Sequence, residues 1–373
     1  MNVFMRRALV SLLCAFALAA GCTPSTFERA QKPPIPMVIW SSRDLPAGLD
    51  QRVAQIEGVR WVSRVTVGMV NLIAVTGATK QLPHRRRGGV LPISIAAMDP
   101  PSKATDALST ALAAGKAALS EKAAALRGMR AGSTIRIEAA GVRRTFPVGA
   151  IVDESAARGR ELIVPLAAAG DLGLTAPRAL VTSVEGDHAE AALTSMKAIT
   201  QGVLARIHTG DQQVPDPNEG PILSFAEIKE TFGEFVFKPR PGHGLFVAVD
   251  TAWIDANIVE TDIPLLGILK CNKRLLPQLV GAMHELQARG LAGLVRSGDG
   301  CWSPRMQVGN SYALSRHAYG IAVDINAAQN RYGERPRQDP RLVEVMERWG
   351  FTWGGRWLVP DGMHFEFVRF VSP

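Results

Sequence analysis

From residue 37 onward the apolar positions follow two periods, and the alternation between them outlines the elements. Met37-Val-Ile-Trp40 and Trp61-Val-Ser-Arg-Val-Thr-Val67 predict strands, with Leu49-Asp-Gln-Arg-Val-Ala-Gln-Ile56 as a helix between them. The alanine-rich stretch from Asp106 to Leu126 predicts a long helix, followed by strands over Thr134–Glu138 and Glu161–Pro165. Ala189 to Ile207 predicts another helix, and the Pro, Asp and Gly residues that follow read as a linker. Beyond it "FAEIKETFGEF" predicts a helix, and Leu275 to Arg289 predicts one closed by Gly290, with strands from there to the C-terminus. The expected fold class is α+β. A mixed α/β domain spans 37–208, a linker 209–221, and a second domain with a small antiparallel sheet and flanking helices 222–373.

The first residues follow a different pattern. Arg6 and Arg7 precede an apolar run, Ala8 to Ala20, that is too short to span a bilayer as a mature helix, which predicts a signal peptide over 1–21. The run ends Leu18-Ala19-Ala20-Gly21-Cys22 and resembles a bacterial lipoprotein processing site, with Cys22 as the acylated first residue. A secretory signal cleaved without acylation is the alternative. The polar stretch 22–36, with Pro33, Pro34 and Pro36, then serves as a tether. This implies an exported protein, anchored by lipid to the cell envelope and facing the periplasm or exterior.

Composition narrows the classes. With 373 residues, 47% hydrophobic and 20% charged, the chain can fill two cores and is too apolar to be largely disordered. Its formal charge of +8 falls to +6 once the leader's two arginines leave. That excess suits anionic wall polymers or lipid headgroups, but no Lys/Arg block is dense enough for nucleic acid, and Arg85-Arg86-Arg87 reads as a solvated loop. Of four cysteines, Cys14 leaves with the leader and Cys22 takes lipid, so Cys271 and Cys301 remain as a disulfide or as two buried thiols. The first domain holds no cluster of His, Cys or carboxylates; His84 and His188 stand alone. In the order "ISIAAMDP", long helix, "ELIVPL" it resembles the extracytoplasmic domains of bacterial export permeases, which implies a binding or positioning role, with an envelope protein as partner.

The chemistry lies near the C-terminus. In Ser315-Arg-His-Ala-Tyr-Gly-Ile-Ala-Val-Asp-Ile-Asn326 the residues Ile321, Val323 and Ile325 mark one strand face, leaving Asp324 on the other behind His317. In Met363-His-Phe-Glu-Phe-Val368, His364 and Glu366 share a face. Two histidines and a carboxylate suit one catalytic zinc ion with a position open for water. Asp361, three residues before His364 on a Pro-Asp-Gly turn, suits a general base. Turn and capping roles for the two aspartates, with hydrogen-bonded histidines, are the plainer alternative.

Together these residues resemble the M15 zinc D-Ala-D-Ala carboxypeptidases and related cell-wall endopeptidases. That pattern is Ser-x-His-x-x-Gly-x-Ala-x-Asp, with an acid later placed three residues before a final His. Ser315, His317, Gly320, Ala322 and Asp324 match the first part, Asp361 and His364 the second. The resemblance covers about residues 225–367 and implies zinc ligands His317, Asp324 and His364 with Asp361 as base. An Asp before the last His, together with "WGGRW", is similar to endolysins that cut between L-Ala and D-Glu. The family's upstream arginine is matched by Arg305, with Arg296 as competitor. Ser315, Tyr319, Trp353 and Trp357 would line the substrate groove, with core packing the alternative for either tryptophan, and Glu366 would orient His364 or serve only as a cross-strand partner. The implied function is a zinc metallopeptidase acting on peptidoglycan stem peptides; the alternative is a non-catalytic wall-binding lipoprotein or a partner of an envelope export or division complex.

Overall fold

The computed structural model describes residues 32–84, 88–100, 106–174, 176–210, 223–308 and 310–371. The expected signal peptide, Cys22, most of the tether and linker, and Arg85–Arg87 lie outside these residues. Among the described residues no helix is long and apolar enough to cross a membrane.

Nine strands form the N-terminal sheet: β1 (Ile35–Trp40), β2 (Val59–Thr76), β3 (Pro92–Met98), β4 (Ala117–Ser120), β5 (Thr134–Ala139), β6 (Val142–Val152), β7 (Leu162–Pro165), β8 (Ala179–Val184) and β9 (Arg206–Thr209). Their order is β3-β7-β4-β6-β5-β2-β8-β1-β9, and β3 also pairs with β2, so six strands close into a ring. The 18-residue β2 makes this possible. Its first half pairs with β8 and its second half with β3 and β5, so it belongs to both the ring and the open extension. Alternation fills the ring. Ile93, Ile95, Ala97, Ala117, Leu119, Ile135 and Ile137 form one buried cluster, whereas Ala96, Met98, Ala118 and Ile163 join another on the outer face.

Two expected helices are shorter than the sequence pattern predicts. The stretch 106–126 splits into a helix Ala107–Ala113, strand β4 and a helix Glu121–Arg127. Gly115 at φ 70° reverses the chain, and Ser120 caps the second helix by accepting from the Ala123 N–H. Burial of all four β4 residues outweighs the helical preference of alanine, because the strand is covered on both faces. The helix expected over 189–207 ends at Ile199, where the Thr200 hydroxyl donates back to the Met196 carbonyl at 2.7 Å, and β9 then pairs with β1.

The C-terminal region holds a four-stranded antiparallel sheet in the order Gly298–Gly300, Ala322–Ile325, His364–Phe367, Phe351–Trp353. Helices Phe225–Phe232 and Leu276–Ala288 bury Ile228, Phe232, Leu279 and Met283 in one core with Val323, Phe365 and Phe367. A third helix, Pro340–Arg348, interrupts the run of strands expected there and adds Leu342 and Met346 to the same core. A disulfide joins Cys271 to Cys301.

The two regions meet across a buried ionic joint. Glu161, fully buried at the head of β7, accepts from Lys229 Nζ at 2.9 Å on both oxygens and from Arg127 Nη2 at 3.0 Å; Arg127 also reaches Glu234 at 2.6 Å. Lys229 Nζ further donates to the Pro92 carbonyl at 2.5 Å. Burial pushes the Glu161 carboxyl up, but the charges of Lys229 and Arg127 outweigh it and hold it below its ordinary value.

Candidate metal and active site

Strand register brings the first two candidate ligands together. Asp324 pairs directly with His364, and Ala322 with Glu366, on adjacent antiparallel strands. His317 enters from the short turn Arg316–Tyr319, which Ser315 caps by accepting from the His317 N–H. Within this group His317 Nε2 and His364 Nδ1 lie 3.1 Å apart, and each lies 3.2 Å from Asp324 Oδ1.

The outer faces of both rings fix which nitrogen points inward. His317 Nδ1 sits 2.7 Å from the Cys301 carbonyl, which can only accept, so that nitrogen donates and Nε2 turns a lone pair toward the triangle. His364 Nε2 sits 3.2 Å from Glu366 Oε2. Burial pushes Glu366 up, but its bond to His364 and the Arg316 charge outweigh this and keep it ionised, so His364 Nε2 donates and Nδ1 turns inward. Three electron-rich atoms therefore face one another and call for a cation. Burial pulls the His364 imidazolium down, yet its bonds to Asp324 and Glu366 dominate and push it up to about 10. Asp324, which burial would raise, is held well below the usual carboxylate range by both histidines.

The donor set fits zinc. A tetrahedral ion with bonds of about 2.0–2.1 Å holds its ligand atoms about 3.3–3.4 Å apart, within a few tenths of an ångström of the separations found here. His317, Asp324 and His364 would hold such an ion and leave its fourth position toward the cavity.

That cavity, of about 190 Å³, is lined by Arg305, Ser315, His317, Tyr332, Trp357, Asp361, His364 and Glu366 among others. Among the described residues Asp361 Oδ1 is buried without a hydrogen-bond partner, and so is Trp357 Nε1, whose ring lies 5.0 Å from that of His364. Burial raises the Asp361 carboxyl, and Asp324 adds to the rise against the opposing charges of His364, His317 and Arg305. Gly354 permits the close approach of this loop: a Cβ there would stand 2.7 Å from the Asp361 carbonyl oxygen.

Two expected substrate residues are elsewhere. Tyr319 is fully buried, its ring 4.5 Å from Phe235 and 5.8 Å from Trp253, because two steps along the short turn from His317 the side chain faces the core. Trp353 also turns away from the cavity. It donates from Nε1 to the Gly362 carbonyl at 2.8 Å and packs its ring over Gly355. Ser315, Trp357 and Arg305 do line the cavity, whereas Arg296 is used through its backbone N–H, which donates to Asn326 Oδ1 at 2.7 Å. Ser42, Arg43 and Tyr332 also line it and carry no motif that would have marked them in the sequence.

Residues 309–367 match the model of an M15 peptidase family described as D-alanyl-D-alanine carboxypeptidase. No curated protein matches the chain. Among solved structures it is similar to the periplasmic region of MacB from Actinobacillus actinomycetemcomitans, at 12% identity over 47% of this chain and 89% of that one, with a TM-score of 0.34. It is also similar to the extracellular domain of the noncanonic ABC-type transporter YknZ from Gram-positive bacteria, at 10% identity over 47% of this chain and 98% of that one, with a TM-score of 0.29. Both scores are too low to carry a functional argument. The family match covers the turn with His317, the strands that carry Asp324 and His364, and Asp361.

Proposed function

We propose that the chain is a zinc-dependent peptidase that hydrolyses peptidoglycan stem peptides outside the cytoplasm. One observation carries this reading: three donor atoms converge at 3.1–3.2 Å beside an unpartnered, buried oxygen of Asp361, all on one cavity. The substrate class follows the family description, a D-alanyl-D-alanine carboxypeptidase, and the Cys271–Cys301 disulfide favours an oxidising compartment. Bound zinc would polarise the scissile carbonyl and lower the pKa of a water to about 7. Asp361, whose burial raises its proton affinity, takes the proton of the attacking water and returns it to the leaving amine. Arg305, close enough for its charge to act on Asp361, offsets the negative charge that develops on the carbonyl oxygen. Glu366 and the Cys301 carbonyl hold the two histidines in their ligand orientations. A lipid on Cys22 would tether this chemistry to the envelope, and the N-terminal region would position it or meet an envelope partner.

The test is incubation with purified peptidoglycan, with and without chelator, for wild type and Asp361→Ala, followed by mass spectrometry of released peptides. Chelator-sensitive cleavage lost in the variant is expected. Unchanged muropeptides throughout would instead favour a wall-binding lipoprotein. The intact mass of detergent-extracted protein tests the lipid on Cys22.

A further inference from the structure

The cavity beside the metal ligands is not walled by the peptidase segment alone. Ser42 and Arg43, from the turn that follows β1 in the N-terminal sheet, line it together with Arg305, Tyr332, Trp357 and Asp361. This wall is fixed in place. The Ser41 N–H donates to the Arg178 carbonyl and the Arg43 N–H to Ser41 Oγ, both at 2.9 Å, and Arg178 Nη1 donates to the Ser42 carbonyl at 2.9 Å. From the other side, Arg206 Nη2 donates to the Arg356 carbonyl at 3.0 Å, and Leu358 packs against the cluster of Val38, Trp40 and Val65. The loop that carries Trp357 and Asp361 is thus docked on the N-terminal sheet beside Arg43.

The charges on this cavity are unequally used. Asp324 faces both histidines, and Glu366 is engaged by His364 and by Arg316 at 3.8 Å. Arg305 acts on Asp361. Arg43 is exposed, is paired with no carboxylate among the described residues, and acts on the Tyr332 hydroxyl from the side opposite in charge to Asp361. An exposed guanidinium on this cavity, besides Arg305 and the Glu366-facing Arg316, matches an anionic group on the substrate, and a planar fork of donors matches a carboxylate.

We propose that Arg43 binds a carboxylate of the peptide held in this cavity, so that the N-terminal sheet sets the chain's substrate preference. This rests on the peptidase reading above. The same chemistry could be met by the α-carboxylate of a peptide C-terminus or by an acidic side chain, and three ligands separate them: a short peptide with a free C-terminus, its C-terminal amide, and the amide carrying glutamate after the scissile bond. Binding to the zinc-loaded full chain is measured by fluorescence anisotropy in the Asp361→Ala background, and cleavage in the Asp361 protein.

The free acid, or the glutamate amide, is expected to bind about tenfold more tightly than the plain amide, in line with a charge-assisted hydrogen bond at an accessible site. Arg43→Gln should remove that preference while leaving the plain amide unchanged, and Arg43→Lys should restore part of it; in cleavage the loss should fall on KM and spare kcat. Because Arg43 is exposed, the variant keeps the fold. Equal binding of all three ligands by wild type, or a preference that survives Arg43→Gln, overturns the proposal alone. A preference lost in Arg43→Gln without any cleavage by the Asp361 protein keeps Arg43 as a carboxylate-binding residue and sinks the peptidase reading. Absence of binding by every ligand sinks both.

Discussion

Replacing Lys229 by methionine probes the ionic joint between the two regions. Lys229 Nζ makes three bonds of 2.5–2.9 Å, two to Glu161 and one to the Pro92 carbonyl, in a site closed to solvent. Methionine fills similar space but leaves Glu161 and Glu234 with Arg127 as their remaining cation. Removing one partner of a buried ionic group costs about 3–5 kcal/mol, because a charge is left without compensation. With a urea slope of about 3 kcal/mol/M, the unfolding midpoint should fall by about 1–1.7 M. Lys122→Met is the control: its bond to Glu227 also crosses the joint, but both side chains are partly exposed, so its loss should cost about 0.2–1 kcal/mol. Adding Glu161→Gln to Lys229→Met should recover part of the loss, since the uncompensated charge goes with it. The pH dependence has a definite sign. Glu161 is held below its ordinary 4.5, so its contribution is present above that value and disappears as pH falls through the lower folded value. Wild type should therefore lose stability below about pH 4.5 more steeply than the double variant. A midpoint shift for Lys229→Met no larger than that of Lys122→Met would refute this account of the joint.

Glu366→Gln keeps the shape behind His364 and removes the anion that orients it, so zinc affinity measured by competition with a chromophoric chelator should fall about 10–100-fold. Gly354→Ala places a methyl group 2.7 Å from the Asp361 carbonyl oxygen and must shift that loop; the expectation is a large loss of kcat with zinc content unchanged, and full kcat would show that Asp361 is not placed by Gly354. Opening the Cys271–Cys301 bridge with paired serines should cost about 3–4 kcal/mol for a loop of this length, read as a fall in urea midpoint.

The convergence of Asp324 and His364 was legible because two local signals agreed: strand alternation put Asp324 on one face and His364 with Glu366 on another, and antiparallel pairing made those faces one. Tyr319 and Trp353 were misread for the opposite reason. Each lies within a few residues of a ligand or of Asp361, but nearness in sequence does not settle direction on a tight turn, and both rings find apolar neighbours instead of the cavity. The alanine-rich stretch was read by propensity, which cannot anticipate that Ala117–Ser120 would be covered on one face by the ring's interior and on the other by the helix Ala107–Ala113. Arg43 had no signal at all, since its role depends on two distant segments meeting.

The ionic joint also bears on the order in which the chain assembles. Arg127 and Glu161 belong to the region made first, Glu234 and Lys229 to the region made last, and each region brings one cation and one anion. Neither has to strand a net charge while it waits for the other during synthesis, when N-terminal parts fold first. Docking then adds a partner to each, Glu161 gaining Lys229 and Arg127 gaining Glu234, and the cavity, walled from both regions, is complete only once they have met.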